Sequence, residues 1–197
     1  MADDTRAKIL ELAVAAIDDG GEAAIRVNKL VAEAGVTPPV LYYHFGSRDG
    51  LVIAAQIERY LSQIRIDTSA LERDVAGCES REELRVVLRN MWTRLITGRR
   101  EARRIRANVI GSAFSRPELS DAIAAAQDES ITRLVAIVEP CRQRGWFRDD
   151  IDLVSFVAWQ HSVVFARLLV ENGEEQVDLD EWDRLTLESI ERGLFGD

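Results

Sequence analysis

Residues 26–45 read Arg-Val-Asn-Lys-Leu-Val-Ala-Glu-Ala-Gly-Val-Thr-Pro-Pro-Val-Leu-Tyr-Tyr-His-Phe, and their pattern decides the fold. Val27, Leu30, Val31 and Ala34 fall at helical spacing and predict a short helix with one apolar face. Gly35 follows, the residue type suited to the left-handed backbone that ends a helix, and Val36 can plug the gap to the next element. Thr37 is placed to cap a second short helix carrying Leu41 and Phe45. Pro38 and Pro39 occupy its first turn, where missing N–H groups cost little, and leave Val40 as the donor for the Thr37 side chain. Two short helices joined so tightly predict a helix-turn-helix, a motif that presents its second helix to a DNA major groove.

Apolar spacing on either side of this pair is helical as well. Ile9, Leu12, Ala13, Ala16 and Ile17 form a stripe that opens after the possible caps Asp3 and Asp4 and stops at Gly20-Gly21. A fourth helix, from about Arg48 to Arg65, turns Leu51, Ala55, Tyr60 or Leu61, and Ile64 inward, and Asp67 to Gly77 reads as a loose connection. Ser80-Arg81-Glu82-Glu83 is a capping-box pattern opening a helix with Leu84, Val87, Leu88, Met91, Trp92 and Leu95 in phase. An Arg-rich helix then runs to about Phe114, and Ser115-Arg116-Pro117-Glu118 predicts a second capping box before a long helix ended by Gly145. Two apolar helices, about 152–171 and 180–195, close the chain. With no alternating run long enough for a sheet, the expected class is all-α with about nine helices. Residues 1–50 would form a three-helix DNA-binding domain, and 51–197 a helical bundle for ligand binding and dimerisation, with the fourth helix as connector.

The 197 residues carry a net charge of −9, which argues against nonspecific nucleic-acid binding by the whole surface. A DNA site must therefore be local. Residues 26–65 hold Arg26, Lys29, Arg48, Arg59 and Arg65 against Glu33, Asp49 and Glu58, a balance of +2 that leaves −11 elsewhere. Cys78 and Cys141 stand far apart in no ligand spacing, so neither a disulfide framework nor a metal site is expected, and no cofactor. The charged, helically periodic segment Met1–Glu11 does not read as an export signal, and a cytoplasmic location is expected. Val154–Val170 is interrupted by Gln160, His161 and Arg167 and reads as a buried helix rather than a membrane span. No phosphate loop, nucleophile elbow or nucleophile–base motif appears, so an enzyme is not expected.

Ala34-Gly35-Val36, Leu41-Tyr42-Tyr43-His44-Phe45 and Ser47-Arg48-Asp49-Gly50-Leu51 together make residues 5–55 resemble the tetracycline-repressor (TetR) family. The resemblance implies that Pro38, Pro39 and Tyr43 face base edges, with Asn28 reaching another base. It implies phosphate contacts for Tyr42, His44 and Arg48, to which Thr37 and Lys29 are added. Arg26 departs from the family pattern by standing where a Ser or Thr helix cap is usual. The implied protein is a homodimeric, ligand-responsive repressor released from a palindromic operator by a small effector. The family dimerises through its last two helices, here carrying Val154, Val157, Val164, Leu168, Trp182, Leu185 and Ile190.

In the C-terminal half, Trp92, Phe114, Trp159 and Phe165 are the candidates to line a pocket for an apolar or aromatic ligand. His161, amid apolar neighbours, reads as a hydrogen-bonded core or interface histidine before a ligand-contacting one. Arg99, Arg100, Arg103, Arg104 and Arg106 form the densest positive run. They read either as a solvated face balanced by nearby acids or as a relay to the DNA-binding domain through Asp18, Asp19 or Glu22.

Overall fold

In a computed structural model describing residues 2–173 and 177–196 (side chains from residue 4 onward, 63 and 67 excepted), the described residues form nine α-helices and no strand. These are α1 (Ala2–Gly20), α2 (Val27–Ala34), α3 (Pro38–Phe45), α4 (Arg48–Ala76), α5 (Arg81–Thr97), α6 (Arg100–Ala113), α7 (Pro117–Gln143), α8 (Leu153–Glu171) and α9 (Leu179–Phe195). The chain forms two compact units: residues 1–62 with 108–124, and residues 63–107 with 125–197.

Unit 1 is built on the expected stripes. Ile9, Ala13 and Ile17 of α1 pack with Leu30, Val31 and Ala34 of α2, Leu41 and Phe45 of α3, and Leu51, Val52 and Ala55 of α4. Tyr60, not Leu61, is the buried member of its pair. Since α1 already begins at Ala2, Asp4 lies within the helix rather than at its start, and the Asp3 side chain falls outside the described residues. The loose connection expected at 67–77 is instead helix: α4 continues to Ala76, with Leu71 and Val75 buried in unit 2. Charged residues at 67, 72, 73 and 74 concealed an apolar repeat of four that suffices to hold the helix.

Unit 2 buries Leu84, Leu88, Trp92 and Ile96 of α5 against Phe156, Val157 and Val164 of α8 and Leu187, Ile190 and Leu194 of α9. Ser80 caps α5 by accepting from Glu83 N at 3.2 Å, while the Glu83 carboxylate takes the N–H of Glu79 at 2.8 Å rather than that of Ser80. The second capping box does not form, because α7 starts at Pro117 and its first turn is closed by the Arg116 carbonyl, which accepts from Ser120 N at 3.0 Å.

Two buried arginines inside unit 2 find carboxylates, as burial of charge demands. Arg103, 3% exposed, gives a fork to Glu171 and donates to Leu95 O at 2.7 Å. Arg167 on α8 holds Asp183 on α9 at 2.6 Å, with both side chains almost fully buried. The Arg run thus has a buried member. Asp18 and Glu22 pair with Arg59 and Arg116 within unit 1.

By length and composition α8 could cross a membrane. One of its faces lies in the core with Arg167 and Gln160 buried, whereas Val154, Trp159 and Leu169 are exposed, so the buried helix expected is realised on one face only. Val157, Val164 and Ile190, expected on a dimer face, belong to the core of their own unit. Val154 and Leu185 remain exposed, alongside Trp159 and Leu169.

Candidate nucleic-acid interface and ligand cavity

The turn between α2 and α3 is made as its residues dictate. Gly35 is left-handed (φ 74°) at the end of α2, Val36 N–H donates to Val31 O at 2.9 Å, and Val36 packs on the unit core. The Lys8 ammonium also caps α2 by donating to Ala34 O at 3.0 Å. Thr37 stands at the N-cap of α3, but its side chain makes no capping hydrogen bond; with Pro38 and Pro39 removing two donors, the Val40 N–H goes to the Thr37 carbonyl at 3.0 Å. Arg26, at the N-cap of α2, likewise makes no side-chain cap.

This packing divides α3 into two faces. Leu41 and Phe45 point inward, while Pro39, Tyr42 and Tyr43 face solvent, Tyr43 with 84% of its surface exposed. Asn28, Lys29 and Thr37 are exposed, Pro38 and His44 half-buried, and Lys29 stands 3.9 Å from Glu33. The His44 ring lies edge-on between Tyr43 and Phe45, at centroid distances of 5.2 and 6.3 Å.

Arg48, expected to contact a phosphate, is engaged within the unit. Its Nε donates to Ile25 O at 3.1 Å and its Nη2 to Glu22 O at 2.6 Å, holding the turn of residues 22–24 against the start of α4. Two further residues of that motif have structural tasks not foreseen from sequence. Ser47 Oγ accepts from Gly50 N at 2.9 Å, and a Cβ at Gly50 would stand 2.1 Å from Phe45 O, so the approach of α3 to α4 admits only glycine.

A polar cluster completes unit 1. Glu22 Oε1 accepts from Gln56 at 2.6 Å and Ser112 at 2.5 Å, while Glu22 Oε2 accepts from Arg116 at 2.8 Å; Arg116 also reaches Asp49 at 3.0 Å. Burial pushes the Glu22 carboxyl upward, but the hydrogen bonds from Ser112, Gln56 and Arg116 and the Arg116 charge outweigh it, leaving its pKa below the usual value. Arg59, 7% exposed, is spent on Asp18, Gln56 and Asn108 and adds nothing to a DNA-facing surface. The sequence points Glu22 toward the Arg run and does not mark this cluster, since Arg116 lies far away along the chain.

Within unit 2 a cavity of about 70 Å³ is lined by α4, α5, α7, α8 and α9 and by Arg106 of α6. Of the four aromatic candidates only Trp92 lines it, joined by Phe156. Trp159 is 42% exposed, Phe165 is half-buried off the cavity wall, and Phe114 is an 89% exposed residue of unit 1. Helical phase could have separated Phe156 from Trp159, because Phe156 shares the face of Leu153, Val157 and Gln160. His161 also lines the cavity, where burial first and the Arg106 charge second push its pKa down to about 4.

Residues 9–55 match the model of "Bacterial regulatory proteins, tetR family". The HTH-type transcriptional regulator BetI of Rhizobium meliloti (strain 1021) is 30% identical over 84 residues, a match spanning 43% of this chain and only 40% of that relative. A protein of Mesorhizobium loti assigned to the TetR family superposes with a TM-score of 0.76 at 15% identity, covering 99% of this chain and 98% of the other. A protein of Saccharomonospora viridis described as a transcriptional regulator, in complex with choline, gives 0.66 at 18% identity over 98% of each chain. Residues 9–55 thus belong to the tetR family of bacterial regulatory proteins, and they head a chain that has the fold of solved TetR-family regulators.

Proposed function

We propose that the protein is a homodimeric, ligand-responsive DNA-binding regulator, a repressor that leaves a palindromic operator when a small apolar or aromatic effector binds. The observation that carries this reading is the outward face of α3, where Tyr42 and the largely exposed Tyr43 stand clear of the core beside Pro39. In this reading residues 1–50 bind DNA and 51–197 bind ligand and dimerise, with α4 connecting them. Pro38, Pro39, Tyr43 and Asn28 read bases, the proline rings meeting thymine methyls and Asn28 pairing with adenine in an A·T-leaning half-site. Tyr42, His44, Arg48, Lys29 and Thr37 hold phosphates and set register.

Val154, Trp159, Leu169 and Leu185 on α8 and α9 supply an exposed apolar surface for the dimer. Two reading heads then meet half-sites about 34–36 Å apart or a multiple of that. The effector acts only through its different affinity for the DNA-bound and free states. Selection of bound sequences from a random DNA pool tests the reading: a palindromic consensus supports it. No enrichment would favour a helical carrier that does not bind DNA, a reading kept in view by the −9 charge.

A further inference from the structure

The unit 2 cavity, at about 70 Å³, has several times the roughly 10–15 Å³ that one water needs. Leu88, Met91, Trp92, Phe156 and Val157 make most of its wall apolar. Its polar members differ in what they already do. Thr68 Oγ1 donates to Ile64 O at 2.8 Å, one turn back in its own helix. Gln160, 5% exposed and buried on the core face of α8, has an Oε1 that accepts no hydrogen bond. A buried carboxamide oxygen without a donor is rare in native proteins and costly to leave unmade.

Charge at the wall narrows what could supply that donor. Arg106 lines the cavity and none of the lining residues is a carboxylate, so a cation would enter without a counter-charge. The neighbouring His161 is kept neutral by its burial and by Arg106, and it too offers only uncharged hydrogen-bonding atoms at neutral pH. An anion would have Arg106 as a counter-charge, but it too would lose its hydration against a wall that is otherwise mostly apolar.

We infer that the cavity takes an uncharged, mainly apolar molecule that donates one hydrogen bond, from a hydroxyl or an amide N–H, to Gln160. This deepens the regulator reading and rests on unit 2 being its effector domain. It sets this chain apart from the choline-bound Saccharomonospora protein, whose ligand is a cation.

The test is a DNA-free titration of the full chain, followed by tryptophan fluorescence, with four probes on one ring: benzyl alcohol, toluene, benzoate and benzyltrimethylammonium. The expected result is that both neutral probes bind more tightly than either ion. Gln160→Met should then shift the affinity ratio of benzyl alcohol to toluene against the alcohol by about tenfold, the loss expected when a buried hydrogen bond is removed. The variant should unfold no more easily than the wild type when no probe is present, because it deletes an unpaired acceptor. A ratio unchanged within about twofold, tighter binding of either ion, or no response to any probe up to its solubility would each overturn the inference. So would a clear loss of stability in Gln160→Met, which would give the amide a role within the fold. Operator affinity is measured separately: if benzyl alcohol binds as expected yet leaves DNA binding unchanged, the ligand class stands and the regulator reading fails.

Discussion

His161 should make the protein acid-sensitive over a defined pH window. An ordinary histidine protonates near 6.5, whereas burial and the Arg106 charge hold His161 neutral down to about 4. The folded state therefore disfavours the proton that the unfolded state accepts. Stability from this group is fully present above pH 6.5 and is lost progressively as pH falls toward 4, below which both states are protonated and the loss levels off. At 1.36 kcal/mol per pH unit, the gap between 6.5 and about 4 amounts to roughly 3 kcal/mol, of which about 2 kcal/mol has gone by pH 5. The assay is urea unfolding of wild type and His161→Gln between pH 7.5 and 4.5, read as the difference between them so that carboxylate titrations common to both cancel. The variant should gain about 2 kcal/mol on the wild type between pH 7.5 and 5. A difference that stays constant across this range would refute the reasoning, since it would mean that His161 reaches water or a counter-charge when it protonates.

The fold was legible because the dominant signals were local. Stripes at helical spacing in Ile9, Ala13 and Ile17, or in Leu84, Leu88 and Trp92, need no distant partner to be recognised, and their burial follows from the spacing. The left-handed Gly35 was equally readable, since few other residues take that backbone cheaply. Where the reading failed, a second local requirement had intervened. Thr37 has the right side chain for a cap, but the two prolines remove the first donors and the Val40 N–H goes to the backbone carbonyl instead. Residues 67–77 are charged enough to look like a loop, yet one apolar residue per turn against a neighbouring core keeps them helical.

The candidate sites were legible only in part, because their partners are remote in sequence. Nothing near Glu22 or Asp18 in sequence marks Arg116 or Arg59 as their partners, and the denser Arg run at 99–106 is the stronger local signal. The cavity illustrates the same limit: residue type alone points to four aromatics, but the wall is chosen by helical phase and by the approach of other helices, so Trp92 and Phe156 line it while Trp159 does not.

Further perturbations follow from the same geometry. Tyr43→Ala, at an 84% exposed position, should change unfolding free energy by less than about 0.5 kcal/mol while weakening binding to a selected operator; a large stability loss or unchanged DNA affinity would count against the outward face as the reader. Arg167→Met leaves Asp183 buried without its cation, while Glu171 keeps Arg103, and should cost about 3–5 kcal/mol in urea unfolding, part of which Asp183→Leu restores in the double variant. Glu22, whose folded pKa is depressed, contributes stability that is present above its ordinary value of 4.5 and lost as pH falls through the lower folded value. Glu22→Gln should accordingly flatten the acid limb of the stability curve, and an unchanged limb would refute the Glu22–Arg116 contribution. Arg48 separates two roles that its sequence position alone would merge. As a phosphate contact, its replacement by Ala should weaken binding to all DNA sequences about equally and lower the salt dependence by roughly one ion. The structure adds that its guanidinium joins the carbonyls of Glu22 and Ile25, so Arg48→Ala should also lower stability, by about 1–2 kcal/mol after allowance for solvent exposure. Arg48→Lys keeps the charge but cannot reproduce the fork, so it should retain most of the salt dependence while losing much of that stability. If Arg48→Ala alters DNA affinity with no change in unfolding, the carbonyl contacts are incidental to the fold; if it alters stability alone, the phosphate assignment is wrong.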